Sequence, residues 1–276
     1  MELDSWERGA FFSTVRITVP GNQDRDDSVG TGFLYGVPLV NEEGQDHGII
    51  ILISNRHVFE DFDGRLILNF HQKREDGNGP APGPGVQIEE DFSNAFVAHP
   101  DPNVDLAAVG VLGLRLREDL FYFYEGPGSV LDSNDYSLYP GQDIFFVGYP
   151  DGKFDFVNNL PIMQFGKIAT LPQVDYLGDP VYLIDAPVVE GSSGSAVYTL
   201  THGERKLVGV VAKYYDRELP IEFGGALDMK FSQLLDLGVV VKTSAIHELV
   251  DHLIETRLPG CRIEVPDDTL PPPFGT

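Results

Sequence analysis

Short apolar, β-branched and aromatic runs alternate along this chain with breaks rich in Gly and Pro, a pattern of many short strands rather than of helices. The runs predict strands at residues 11–19, 30–37, 49–54, 65–70, 95–99 and 106–112 in the first half. In the second half they predict strands at 142–148, 163–170, 180–184, 196–200, 207–214 and 239–243. No repeat of fixed period is present. Six short strands in each half fit two closed barrels better than one open sheet. The expected fold class is all-β, two six-stranded antiparallel β-barrels with a C-terminal helix.

The period changes near the C-terminus. Ile246, Leu249, Val250, Leu253, Ile254 and Leu258 recur at three- and four-residue spacing, Ser244 is placed to cap the helix, and Pro259-Gly260 ends it. A short helix is also expected near Asp4–Phe12. Residues 125–135, rich in Gly, Pro, Ser and Asp, predict a linker between residues 1–124 and 136–258, with a loose Pro-rich tail over 259–276. Residues 73–85 contain Gly-Asn-Gly-Pro-Ala-Pro-Gly-Pro-Gly and predict a mobile surface loop.

Composition narrows the classes. With 276 residues, 42% hydrophobic and 22% charged, the chain is of ordinary globular type. A chain this long can bury roughly 70–75% of its unfolded surface, so it needs neither metal nor disulfide to fold. A formal charge of −24 repels phosphate backbones and anionic lipid, so neither nucleic acid nor a membrane is an expected partner. Cys261, the single cysteine, cannot form an intrachain disulfide, which favours a reducing compartment. The N-terminus has no basic-then-apolar signal pattern, and the densest apolar run, Ile49–Ile53, is far short of the ~20 residues of a membrane-spanning helix. A cytoplasmic protein is expected.

Three stretches carry candidate chemistry. Ser54-Asn55-Arg56-His57-Val58 follows an apolar strand, Asn103-Val104-Asp105-Leu106 opens another, and Glu190-Gly191-Ser192-Ser193-Gly194-Ser195-Ala196 sets a serine between glycines. Serine is a weak nucleophile until a base takes its proton and a carboxylate orients that base. His57, Asp105 and Ser193, separated by 48 and 88 residues, supply those parts from separate strand ends. The first two fall on the first predicted barrel and the third on the second, which puts the reaction in the cleft between them.

These stretches resemble the trypsin-like (chymotrypsin-fold) serine peptidases, especially bacterial members without disulfides. Ser54–Val58 is similar to that family's T-N-x-H-V, 105–109 to D-L-A-V, and Gly191–Ala196 to G-N-S-G-G-P. Gly30-Thr31-Gly32-Phe33 and Val147-Gly148-Tyr149-Pro150 also match. Asp185-Ala186 stands eight residues before Ser193, like an Asp-Ala in the high-temperature-requirement proteases. Gly238–Val241 and the helix after it resemble the family's last strand and closing helix.

The resemblance implies a serine endopeptidase acting on protein or peptide substrates, without a cofactor. Ser193 is the implied nucleophile, His57 its base and Asp105 the orienting acid. The backbone N–H groups of Gly191 and Ser193 form the implied oxyanion hole. The implied primary pocket has Pro187 at its base and Ala212, Tyr214 and Gly238 in its walls, which predicts an apolar, small or medium residue before the cleaved bond. The insertion at 215–237 could fold over that pocket. Ser195 and Ala196 depart from the family's Gly and Pro. Ser192 replaces the Asp that pairs with a newly cut N-terminus in digestive members, so activation by such a cut is not expected. A regulatory protein partner is conceivable by analogy with similar bacterial peptidases.

Competing readings are weaker. A catalytically silent pseudoprotease would lack a member of the triad, and none is missing. An α/β-hydrolase esterase using Ser193 with His247 or His252 needs Gly at position 195 and a helix after the serine. The zinc pattern fails because His247 and His252 are five residues apart, one too many for H-E-x-x-H. Asp24, Asp26 and Asp27 lack the glycine and glutamate of a calcium loop. Gly77-Asn78-Gly79 lies among prolines rather than between strand and helix, and Phe121–Tyr124 reads as packing rather than as a base-stacking surface. No metal is expected.

Overall fold

The computed structural model describes residues 5–264 apart from 22–25, 61–62, 112, 115–116, 136 and 224–226. An N-terminal helix, α1 (Ser5–Ser13), leads into β1 (Thr14–Val19). The strand predicted from residue 11 starts late for a local reason. The hydroxyls of Ser13 and Thr14 donate to the Ala10 carbonyl at 3.4 and 2.7 Å, which holds the last turn of the helix together.

The first barrel continues with β2 (Ser28–Val37), β3 (Leu39–Val40), β4 (Ile49–Ser54) and β5 (Arg65–Gln72). It ends with β6 (Val86–Asp91), β7 (Phe96–Ala98), β8 (Ala107–Gly110) and β9 (Leu120–Phe121). The sheet order is β6-β5-β1-β2-β4-β8-β7, with β9 also on β5. This sheet therefore has eight strands rather than six, and its edges β6 and β7 are not paired with each other among the described residues. The strands missed in the sequence are β9, only two residues long, and β6, Val-Gln-Ile-Glu-Glu-Asp, of which only Ile88 is buried. Its carboxylates suit an unpaired edge and hide it from a reading based on apolar runs.

The second barrel is closed and six-stranded, as expected. Its strands are β10 (Asp143–Gly148), β11 (Ile162–Ile168), β12 (Val181–Asp185), β13 (Ala196–Thr201), β14 (Glu204–Phe223) and β15 (Leu227–Lys242), in the order β10-β11-β12-β15-β14-β13. Beyond the barrel β14 and β15 continue as a two-stranded arm, paired from Asp216↔Leu234 to Phe223↔Leu227. The described residues of the insertion at 215–237 thus form a paired two-stranded arm. Its base is irregular: the register shifts between Tyr215 and Asp216, and Asp236 has φ +55°.

The closing helix α2 (Thr243–Arg257) buries the predicted stripe Ile246, Leu249, Val250, Leu253 and Ile254. It starts before the expected cap Ser244, because Thr243 already lies in its first turn and the residue ahead of it is Lys242. The Thr243 hydroxyl donates to Leu131 O at 3.0 Å and accepts from Ser133 N at 3.2 Å, so the predicted linker is fastened to the helix start. After the helix, β16 (Arg262–Ile263) pairs with β3 of the first barrel. The tail is therefore held through residue 263, and its remainder from 265 onward lies outside the described residues. The segment 73–85 is not loose either: Lys73 N donates to Asp119 O at 2.7 Å and Arg74 N to Gly79 O at 2.9 Å.

Three apolar clusters make up the core. One fills the first barrel around Leu52, Leu66 and Val109, and another fills the second around Phe146, Ile184 and Val208. A third lies between the barrels, where Phe33, Ile51 and Ile53 meet Val147, Ala196 and Val210, and it extends onto α2. The apolar interface and closing helix make the two barrels a single packed unit.

His71 is buried at the end of β5, with the Phe12 ring edge-on at 4.8 Å. Burial pushes its imidazole down from 6.5 to about 4, against a smaller upward pull from its bond to the backbone of Asn159. A depressed folded-state value makes its contribution complete above pH 6.5 and lost as pH falls toward 4. Wild-type stability should therefore drop by up to about 3 kcal/mol across that window through this residue alone. Denaturant midpoints against pH for wild type and His71→Phe check this: the variant should have the flatter acid limb, and parallel curves would refute it.

Candidate active site

The strand β4 ends at Ser54, and the chain turns at once into a 3-10 turn, Arg56–Phe59, that carries His57. Val58 and Phe59 are buried in the first barrel and anchor that turn, leaving the His57 side chain 45% exposed. Asp105 lies just before β8, fixed by Leu106, which is fully buried. The two residues ahead of His57 hold the Asp105 loop. Asn55 Nδ2 donates to Asp105 O at 2.7 Å. The Arg56 guanidinium donates to His99 O at 2.8 Å, Pro102 O at 3.0 Å and Asp101 O at 3.1 Å.

The result is a two-point contact between His57 and Asp105. His57 Nδ1 lies 2.7 Å from Asp105 Oδ2, and the His57 backbone N–H donates to Asp105 Oδ1 at 3.1 Å. Burial pushes the Asp105 carboxyl upward. Hydrogen bonds from the His57 ring and from the backbone N–H groups of His57 and Arg56 outweigh it, so the group stays ionised below its ordinary range. An ionised carboxylate at Nδ1 holds the proton on that nitrogen and leaves Nε2 free to accept another.

Ser193 comes from the other barrel, on the tight loop between β12 and β13. Gly191 at φ +80° and Gly194 at φ +86° take left-handed conformations that disfavour a side chain. Space excludes one as well: a Cβ on Gly191 would strike the Tyr149 carbonyl, and one on Gly194 would strike the Thr31 carbonyl. The loop is fastened to the first barrel through Thr31. Thr31 N donates to Ser193 O at 3.1 Å, and the Thr31 hydroxyl donates to Gly191 O at 2.8 Å. That hydroxyl also accepts from Tyr149 N at 3.0 Å, while Ser54 Oγ donates to Thr31 O at 2.6 Å. Among the described residues the N–H groups of Gly191 and Ser193 donate to no protein acceptor. The Ser193 hydroxyl donates to Ala212 O at 3.1 Å, and no hydrogen bond joins it to His57.

The fold thus brings His57 and Asp105 into contact and fastens the Ser193 loop to the same barrel. A β-strand, β13, follows the serine, and the sheets are antiparallel, so the α/β-hydrolase alternative falls.

The trypsin-like peptidase domain family matches residues 30–210, more than half of the chain and all three motif stretches. The chain belongs to the trypsin-like peptidase family. No curated protein matches the sequence. Among solved structures, the thermostable serine protease AL20 from an extremophilic microorganism is 13% identical, with 89% of this chain and 98% of that one covered at a TM-score of 0.51, a likeness of fold. The active form of the Rv3671c protease from M. tuberculosis is 19% identical over 88% of this chain and 82% of its own, with a TM-score of 0.44.

In this peptidase the expected primary pocket is altered. Pro187 is exposed rather than at a pocket floor, and its carbonyl accepts from Gln164 Nε2 at 2.9 Å. The inward position belongs to Val188, which packs with Ile184 against the Cα of Gly238. Tyr214 pairs with Gly238 across the ladder and is 38% exposed, and Ala212 is buried beneath Ser193. Sequence reasoning missed Thr31, Asn55 and Arg56 as positioning residues. Gly30 and Gly32 around Thr31 signalled a close backbone approach, but nothing local identified its partners.

Thr31→Val keeps the shape and removes the hydroxyl, leaving Gly191 O and Tyr149 N without their partner. Stability should fall by about 2–4 kcal/mol, the cost of two buried groups left unmade. Turnover should fall at least about tenfold, because the loop that carries Ser193 loses its fixed position. Denaturation and peptide-hydrolysis assays read both, and a folded variant with wild-type turnover would separate Thr31 from the site.

Proposed function

We propose that this serine protease is an endopeptidase that hydrolyses peptide bonds of protein substrates through His57, Asp105 and Ser193. The observation that carries this reading is the 2.7 Å contact between His57 Nδ1 and Asp105 Oδ2, in a cleft the Ser193 loop also borders. The Ser193 hydroxyl leaves the Ala212 carbonyl by rotating about its side-chain bond and meets His57 Nε2, which takes its proton as Oγ attacks the scissile carbonyl. The imidazolium, stabilised by Asp105, returns that proton to the leaving amine, and water hydrolyses the acyl-enzyme by the same steps in reverse. The N–H groups of Gly191 and Ser193 receive the oxyanion, and one such donor is commonly worth about 10²–10³ in turnover.

The bond from Ser193 to Ala212 also suits a latent state that a substrate or a protein partner would release. The lone cysteine supports action in a reducing compartment. A pseudoprotease reading draws on the same Ser193 orientation, and labelling separates the two. A fluorophosphonate should label wild type at Ser193, while Ser193→Ala should abolish labelling and cleavage together. Label mapped to Ser192 or Ser195, or wild type inert to the reagent, would overturn the assignment.

Asp105→Asn tests the acid. It keeps the shape of the side chain but no longer enforces the useful tautomer of His57, so turnover should fall about 10³–10⁴-fold. A loss under about tenfold, measured as kcat on a peptide substrate, would remove Asp105 from the mechanism.

A further inference from the structure

A second histidine and carboxylate face each other at the far end of the loop that carries Asp105. The His99 side chain is fully buried just after β7, and its Nε2 stands 3.4 Å from Glu248 Oε2 of α2. Its two ring nitrogens are not equivalent. Nδ1 accepts from the Asp101 backbone N–H at 3.1 Å, a bond that only a neutral ring with its proton on Nε2 can make. That proton points toward Glu248, and no group among the described residues accepts it at ordinary hydrogen-bond geometry.

The place of His99 in the chain gives the ring a hold on Asp105. Its backbone N–H donates to Leu106 O at 3.0 Å and so closes the loop from 99 to 106. Within the loop Asp101 O accepts from Val104 N at 3.2 Å, and Val104, next to Asp105, is buried. Arg56, next to His57, bonds the carbonyls of both His99 and Asp101. The bond at Nδ1 therefore fixes the turn on which Arg56 and Val104 both rest. The closing helix grips the same corner twice, through Glu248 and through Arg257 Nη2, which donates to Phe96 O at 3.0 Å.

A second ring proton undoes this turn, because Nδ1–H then meets the Asp101 N–H, donor against donor. The charged groups that face the ring are Glu248 from α2, Asp101 from its own loop and Arg56 from the turn after β4. Burial outweighs the pull of the two carboxylates, so the imidazole titrates below its ordinary 6.5. The ring is thus neutral and bonded above that value, and the bond is lost as pH falls below it.

We propose that His99 is a positioning residue of the peptidase: its neutral ring, facing Glu248 of the closing helix, shapes the turn that holds Asp105 against His57, and a second proton on the ring releases that turn. The inference rests on the catalytic reading of His57, Asp105 and Ser193, and it adds a second protonation that silences the same site.

The acid limb of activity tests it, read as fluorophosphonate labelling of Ser193 and as peptide hydrolysis from about pH 8 to about 4.5, with near-ultraviolet dichroism reporting the fold. Protonation of His57 alone makes the logarithm of the rate fall with unit slope. Wild type should steepen to a slope of about two below pH 6.5, as His99 protonates as well. His99→Asn does not titrate, and its side-chain oxygen takes over the bond from the Asp101 N–H in the same turn. It should hold turnover within about threefold of wild type at pH 8 and keep unit slope throughout. His99→Leu keeps the bulk and loses the acceptor, so kcat should fall at least about tenfold at pH 8 with KM changed less than about twofold. Glu248→Gln removes a charge that favours the protonated ring, so the second bend should move to lower pH. Unit slope in wild type, a slope of about two kept in His99→Asn, or full turnover in His99→Leu would overturn this inference alone. Should His99→Leu fail to fold, the profiles of wild type and His99→Asn decide it. Wild type inert to label and peptide alike would overturn the catalytic reading and this one with it.

Discussion

The Thr31 hydroxyl accepts a hydrogen bond from one segment of the second barrel and donates one to another, while its backbone N–H donates a third to the same side. Its carbonyl meanwhile is held by Ser54, three residues before His57. One residue therefore ties the segment that leads to His57 to the loop that carries Ser193. The contact is buried, so water cannot replace any of its partners cheaply. Gly194 and Gly191 follow from it, because the loop must approach too closely for side chains. So does Gly148, whose missing side chain makes room for Ser195 Oγ beside Thr31.

A second buried contact sets the rear of the interface. Glu125, the first residue of the predicted linker, is 1% exposed and pairs with Arg205 of β14 at 2.8 Å. Its Oε1 also accepts from Tyr198 of β13 at 3.0 Å and from Ser13 at the end of α1 at 3.2 Å. The guanidinium lies over the Tyr198 ring at 4.8 Å and donates to Trp6 O at 3.2 Å. The N-terminal helix, the crossing segment and the second barrel are thus joined by one charged pair. Such a pair contributes less to net stability than to uniqueness, since breaking it strands a buried charge. Together with Thr31 it fastens the barrels at two separated points, which is what a cleft needs in order to hold geometry under a substrate.

The His57–Asp105 pair is prepared in the same way from its own barrel. Asn55 and Arg56 together make four bonds to carbonyls of the loop that ends at Asp105. Asp105 therefore cannot drift from His57 without breaking bonds made by the two residues ahead of His57. The Ser193 side chain is held from its own barrel, its hydroxyl donating to the Ala212 carbonyl.

Local sequence determined a good deal. The apolar run 49–54 is β4 to the residue, the α2 stripe is buried as its spacing requires, and three short motifs carried the likeness to the family to which the chain belongs. These were legible because alternation, helical period and glycine spacing are properties of neighbouring residues. Strands β6 and β16, the arm of β14 and β15, and the fastening of the linker were not legible as such. The arm had a local signal, Gly224-Gly225 between alternating apolar positions, that a reading for hairpins would have weighed. The others had none. A charged edge strand, a threonine between glycines and a glutamate in a polar stretch look solvated until distant residues cover them. Thr31 meets Gly191 across 160 positions and Glu125 meets Tyr198 across 73. The burial of Val188 was likewise decided by packing, because it meets Gly238 only once β12 and β15 lie side by side. Pairing between residues so far apart is a property of the closed fold, and no window of sequence contains it.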